Sequence, residues 1–373
     1  MHNATDPHSD SAGPDEPAPS PPVHYAEQAL LGALLLTPDQ LNTLDTLESG
    51  NFGDPSHTAV FAAMSALAPP EAAVHAKEPV WLNSVLDHAR RQARGLTASY
   101  LHTLIRTCPD PEHAPAYAQI VRSEHARRTL RTHTNRLAQT ATTPIEPEPA
   151  TAVLAQADTL ARYLDQLADQ FAPHPGSLPR TPTPPEPPRN TGADVLDEER
   201  MLLATATAHP REMTRMPWLL PVDFALPVHT ALFHCLTALN HRGEPIDPIT
   251  VLWEAQHRGL LRDTSAQHVL NLLAIPAGSV EHWGENVLQR ALLHQAHTTA
   301  ERIRAYTEDP ANSVHQLVTG SRRALADLTA IRTRWERTTS RTPGRSRAPR
   351  TTAATRASPP STTAPGRPTR PSR

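Results

Sequence analysis

A fourteen-residue stretch written twice constrains this chain more than any other feature. Phe52, Pro55, His57 and Phe61 recur as Phe224, Pro227, His229 and Phe233 with the same internal spacing. Upstream, Glu27, Gln28, Leu31 and Pro38 align with Glu199, Arg200, Leu203 and Pro210, every matched pair lying 172 positions apart. A self-match of that length without a gap is an internal repeat, so one supersecondary unit must be built twice.

The unit is helical. Ala29, Leu30, Ala33 and Leu34 recur at helical spacing. Pro55 follows Asp54 as the first residue of a second helix, and Pro227 holds the equivalent place. Ala59, Val60, Phe61, Met64 and Leu67 make its apolar face. A third helix begins near Val80 and echoes at 246–252, where the offset has fallen to 166. The six extra residues of copy one belong in a loop around Pro69 and Pro70. A short helix at Tyr100–Leu104 is matched at 268–272, and long arms open at Tyr117 and Trp283.

Those arms turn near Pro144–Pro149 and Asp309–Pro310. They return through Val153, Ala157, Leu160, Leu164, Leu167 and Phe171, and through Val314, Leu317, Leu325, Leu328, Ile331 and Trp335. Steps of mostly three and four residues are the seam of a helical hairpin or short coiled coil. Strand signals are close to absent. The expected class is all-α: two tandem helical bundles, each with a projecting hairpin.

Composition sets the borders. Hydrophobic residues make up only 38% of the chain and there are 40 prolines, which suits two folded modules diluted by disordered ends. Residues 1–22 are acidic and Pro-rich and are expected to be disordered. Module one spans 23–172, and a linker, 173–193, has eight prolines between 173 and 190 that predict an extended, semi-rigid spacer reaching roughly 55 Å. Module two spans 194–337. From Arg337 onward there are nine arginines and no acid, so 338–373 reads as a disordered basic tail. Cys108 and Cys235 form neither a disulfide framework nor a metal spacing. No apolar run spans a bilayer and the start lacks a signal peptide pattern, so a cytoplasmic, non-membrane protein is expected.

The residues at 27–36 (Glu-Gln-Ala-Leu-Leu-Gly-Ala-Leu-Leu-Leu), with Phe52, His57, Phe61 and the segment 116–122, resemble the N-terminal domain of bacterial replicative DNA helicases of the DnaB type. Arg242 to Asp247 and Thr250-Val251 fit the same family in copy two, although Arg200 and Ala204 replace its Gln and Gly. The resemblance covers roughly 24–140 and 195–306 and implies a small helical bundle with a projecting hairpin. In that family the domain pairs with neighbours in the collar of a hexameric ring and docks the primase. The family's motor domain, however, has a phosphate loop with a lysine. Here the lone lysine is Lys77, with no glycine near it, and no G-x-x-x-x-G-K-[ST] occurs. Without that cradle the family's ATP hydrolysis cannot be assembled, so no enzyme activity, catalytic residue or cofactor is expected.

Candidate sites follow. His57 and His229 read as helix-start side chains that cap or pack against the preceding loop rather than as metal ligands. Glu27 and Glu199 read as first-turn carboxylates favoured by the helix dipole. Phe52, Phe61, Phe224 and Phe233 read as core. The hairpin residues Leu154, Leu160, Leu164, Leu167, Leu317, Leu325, Leu328 and Trp335 are either satisfied within their own module or presented to a partner. Arg341, Arg345, Arg347, Arg350 and Arg356 can contact DNA phosphates without sequence preference. The expected function is a scaffold or regulator in DNA replication that binds helicase, primase or itself, with no small-molecule substrate. Two rivals are a motor-less accessory subunit supporting helicase activity, and a DNA-binding regulator whose bundles only dimerise.

Overall fold

The computed structural model describes residues 20–44, 46–71, 75, 80–143, 148–171 and 176–341. The acidic segment 1–19 and the tail beyond 341, both expected to be disordered, lie outside the described residues. Among the described residues there are helices and turns and no strand, so the chain is all-α.

Copy one opens with α1 (Pro22–Leu36), α2 (Pro55–Ala66), α3 (Val80–Ala89) and α4 (Ala98–Thr107). Local chemistry fixes their starts. Pro22 and Pro55 sit where a missing N–H costs nothing, and the Asp54 carboxylate accepts the Ser56 N–H at 2.7 Å. Thr97 does the same for α4 through the Tyr100 N–H. The four helices close on Leu30, Leu34, Val60, Met64, Trp81, Val85, Leu101 and Leu104, together with the base of a long α5 (Ala114–Thr142). Gly32 is what lets α4 come so near α1. A Cβ there would meet the Leu104 carbonyl oxygen at 2.1 Å. Ala204 holds the equivalent place in copy two, where the helix matching α4 is three residues shorter.

After α5 the chain returns along α6 (Pro149–Gln170). Copy two repeats the order with α7 (Ala193–Ala208), a single turn α8 (Pro210–Met213), α9 (Pro227–Arg242), α10 (Pro248–His257), α11 (Ala266–Leu272), α12 (Val280–Glu308) and α13 (Val314–Arg341). Gly243 ends α9 at φ 69°, and the Glu244 N–H reaches back to the Leu239 carbonyl at 3.1 Å, a left-handed stop that favours glycine. Helix α13 continues to Arg341, past the boundary at 337 expected from sequence.

The two hairpins do not project separately. The most extensive helix–helix contact in the molecule runs between α5 and α12, and α6 packs on α13, so the four long helices form one bundle. Leu130, Leu137, Val153, Leu160 and Leu164 of copy one share a single core with Leu292, Ile303, Leu317 and Leu328 of copy two. The hairpins lie antiparallel, tip to base. Arg127 on α5 donates to the carbonyls of Thr307 (3.1 Å), Asp309 (2.9 Å) and Asn312 at the tip of the second hairpin. Asp165 pairs with Arg322 at 2.6 Å, and Asp158 with Arg332 further along the same two helices.

The hairpin residues Leu154, Leu160, Leu164, Leu167, Leu317 and Leu328 are buried, with Leu325 and Trp335 packed against the same core, so the partner-binding reading of them is corrected: their faces are covered within the chain. The proline linker, over its described part, is extended and is also tied to copy two by hydrogen bonds. Buried Asn312 accepts the Arg180 N–H at 2.8 Å and donates to Thr181 Oγ1, Thr181 donates to Asp309, and Gln316 donates to the Leu178 carbonyl. It therefore follows the second hairpin from its tip and meets copy two again where Arg189 donates to the Phe224 carbonyl.

Because one core joins the first hairpin to copy two, Leu164→Ala should cost roughly 2–5 kcal/mol, read as a lower denaturant midpoint by circular dichroism. Gly32→Ala should destabilise by about 1–3 kcal/mol despite the better helix propensity of alanine, since backbone rather than a side chain stands in the way.

Candidate functional site

The repeated signature builds the same device in each copy. Glu27 and Glu199 are not first-turn residues, because α1 starts at Pro22 and α7 at Ala193. They lie more than a turn inside and are 2% exposed. The Glu27 carboxylate accepts the Gly53 N–H at 2.6 Å, and its second oxygen meets His57 Nδ1 at 2.6 Å. Glu199 takes the Ala225 N–H at 2.6 Å and His229 Nδ1 at 2.6 Å. Each histidine thus packs against the loop before its helix, through a carboxylate borrowed from the preceding helix. A buried polar pair with its hydrogen bonds made is a strut between elements. The Phe52/Phe61 and Phe224/Phe233 rings lie tilted against each other beside it, centroids 5.0 and 4.9 Å apart, inside the cores. Leu31 is fully buried, while Gln28 turns outward to His24.

Sequence reasoning treated the Glu and His as separate features, although one signal joined them: both pairs are 30 residues apart. It also missed a second buried clamp in copy two. Arg334 near the end of α13 grips Asp223 with two hydrogen bonds, 2.6 and 2.9 Å, and donates to the Trp218 carbonyl. Asp223 is 5% exposed and also accepts the Leu220 N–H. The paired, planar donors of arginine suit this carboxylate.

Copy two exposes Ile249 (64%) and Trp253 (58%) one turn apart on α10, while Val251 and Ala255 of the same helix are buried. The Trp253 ring lies tilted against His257, centroids 4.7 Å apart, and Arg242, Glu244, Glu254 and Arg258 form a charged network on the same head. Copy one has Asn83 and Asp87 at the equivalent positions, so this apolar face belongs to copy two alone. An exposed tryptophan ringed by charge is the kind of anchor that protein interfaces use. Of the tail residues, Arg341 is the last of α13, and Arg345, Arg347, Arg350 and Arg356 lie outside the described residues.

A cavity of about 410 Å³ opens where the first hairpin tip, the linker and copy two meet. Its walls carry Arg290 and His294 beside Glu199 and Asp223, and burial pushes the pKa of both Arg290 and His294 down. Mixed charge of this kind favours no one ligand class.

The family model described as the DnaB-like helicase N terminal domain matches residues 20–123 and again 193–287. The replicative DNA helicase DnaB of Mycobacterium leprae is 37% identical over 110 residues, which cover 28% of this chain and 17% of that protein. The replicative DNA helicase DnaC of Bacillus subtilis is 25% identical over 148 residues, 38% of this chain and 31% of that one. The chain therefore spans less than a third of the length of either relative. No solved structure matches it.

Removing one partner of the second clamp, Arg334→Ala, leaves Asp223 buried without its charge partner and should cost roughly 3–5 kcal/mol in urea unfolding. Replacing both, Arg334→Met with Asp223→Leu, should recover part of that loss.

Proposed function

Since the chain belongs to the DnaB-like helicase N terminal domain family, we propose that it serves DNA replication as a self-paired, non-catalytic scaffold or regulator. It binds a replicative helicase, a primase or further copies of itself through its two heads. The observation that carries this reading is the burial of both hairpins in one another, which makes a single chain a complete pair of such domains. Its counterparts in the family stand ahead of a motor, whereas these 373 residues hold no phosphate loop from which ATP hydrolysis could be built. The exposed Ile249 and Trp253 supply an apolar anchor on copy two. The arginines after 341 supply a phosphate-binding tether that holds the assembly near DNA in the cytoplasm.

Pull-down and calorimetry with the replicative helicase and primase of the same organism test this. Capture of one of them is expected, and Trp253→Ala should weaken it at least about tenfold with an unchanged melting temperature. Truncation after Arg341 should abolish salt-dependent DNA binding and spare protein capture. Capture of neither protein by a chain that also sediments as a monomer, or ATP turnover by the purified chain, defeats the proposal.

A further inference from the structure

Copy one surrounds its histidine with groups that copy two lacks. His24 in the first turn of α1, Asp54 at the cap of α2 and His57 each place one ligand atom within 4.8 Å of the other two. His24 Nδ1 faces Asp54 Oδ2 at 3.8 Å, and the His24 and His57 rings lie 4.9 Å apart. Leu196 and Leu226 stand at the matching positions of copy two, where the Glu199–His229 strut is otherwise the same. The strut does not require the His24 side chain, and the Asp54 carboxylate carries a second oxygen beyond the one its helix cap uses.

We propose that His24, Asp54 and His57 bind a divalent transition-metal ion of the zinc type. Two imidazoles and a carboxylate are a donor set that Zn²⁺ accepts, with a fourth place for a hydroxyl or water. The surroundings are those of a supported site. Glu27 holds His57 Nδ1 at 2.6 Å, which fixes the ring and leaves Nε2 as the ligand, the carboxylate–histidine arrangement that orients metal-binding imidazoles. The Gln28 amide lies 2.9 Å from His24 Nε2 and, turned to present its oxygen, accepts that proton and frees Nδ1. Asp54 uses Oδ1 for the Ser56 cap, leaving Oδ2 for the ion.

Tetrahedral zinc with bonds near 2.0–2.1 Å sets its ligand atoms roughly 3.4 Å apart, so the three groups must draw together by about an ångström. His24 and Asp54 are the ones able to move, with side chains 25% and 30% exposed, while His57 is enclosed. The Tyr100 hydroxyl, 2.8 Å from His57 Nε2, competes with the ion for that nitrogen. It must swing aside or become the fourth ligand. Binding thereby staples the first turn of α1 to the start of α2. Scanning for ligands at regular helical spacing passes over the set, because His24 is 33 residues from His57.

The test uses the full-length, untagged chain stripped with chelator. Zn²⁺ is titrated by calorimetry, and Co²⁺ by visible absorption with the tyrosine ultraviolet band followed in parallel. One ion per chain is expected, with a cobalt d–d band and a change in the tyrosine band as Tyr100 is displaced. His24→Ala and Asp54→Asn should each weaken binding at least about tenfold, the second while keeping the Ser56 cap, since asparagine also accepts that N–H. His268→Ala, an exposed histidine elsewhere, should leave it unchanged. With 21 histidines in the chain, weak binding at several sites that is indifferent to His24→Ala overturns the proposal, as does the absence of binding to the folded wild-type chain.

Discussion

The apolar contact between the two hairpins is the interaction on which the rest of the molecule rests. Each hairpin has one seam that closes on itself and an outer face that would otherwise meet water. Leu160 and Leu164 on one side and Leu317 and Leu328 on the other remove those faces together. Hydrogen bonds then set direction and register. Arg127 takes up the Thr307 carbonyl in the last turn of α12 and the Asp309 carbonyl just beyond it, and the ion pairs from Asp158 and Asp165 lie along the outer helices. The exposed ion pairs add little energy, but they discriminate against a slipped arrangement. The core supplies the driving force and the charged groups choose one way of using it.

Much of this was legible in the chain. The Phe–Pro–His–Phe spacing located both second helices, and the steps of three and four leucines located both hairpins. What the sequence left open was where the outer faces go. A leucine seam reads the same whether its cover comes from the same chain or another one, because burial leaves no mark of its source. The prolines of the described linker residues keep that stretch extended, yet Asn312 and Thr181 lie far apart in sequence and their contact has no local signature. The Glu–His strut stood between these cases. Its two members carry no motif, and only the equality of their separations in the two copies connects them.

Duplication has also let the copies drift apart without loss of the shared frame. Both keep the buried strut and the paired phenylalanines in their cores. Around that frame copy one has gathered His24, Asp54 and Tyr100, whereas copy two has an exposed Ile249 and Trp253 and the Arg334–Asp223 clamp. A symmetric assembly of separate chains would have to carry each of these twice. Here one head can specialise while the other stays as it was.

The linker laid along the second hairpin has a consequence for how the pair comes together. Separate chains associate in proportion to how much of each is present, and they part on dilution. Joining them by a short segment replaces the concentration of the partner in solution with a fixed local one, in the millimolar range for short flexible tethers. Pairing here is then a folding step, indifferent to how few molecules a cell makes.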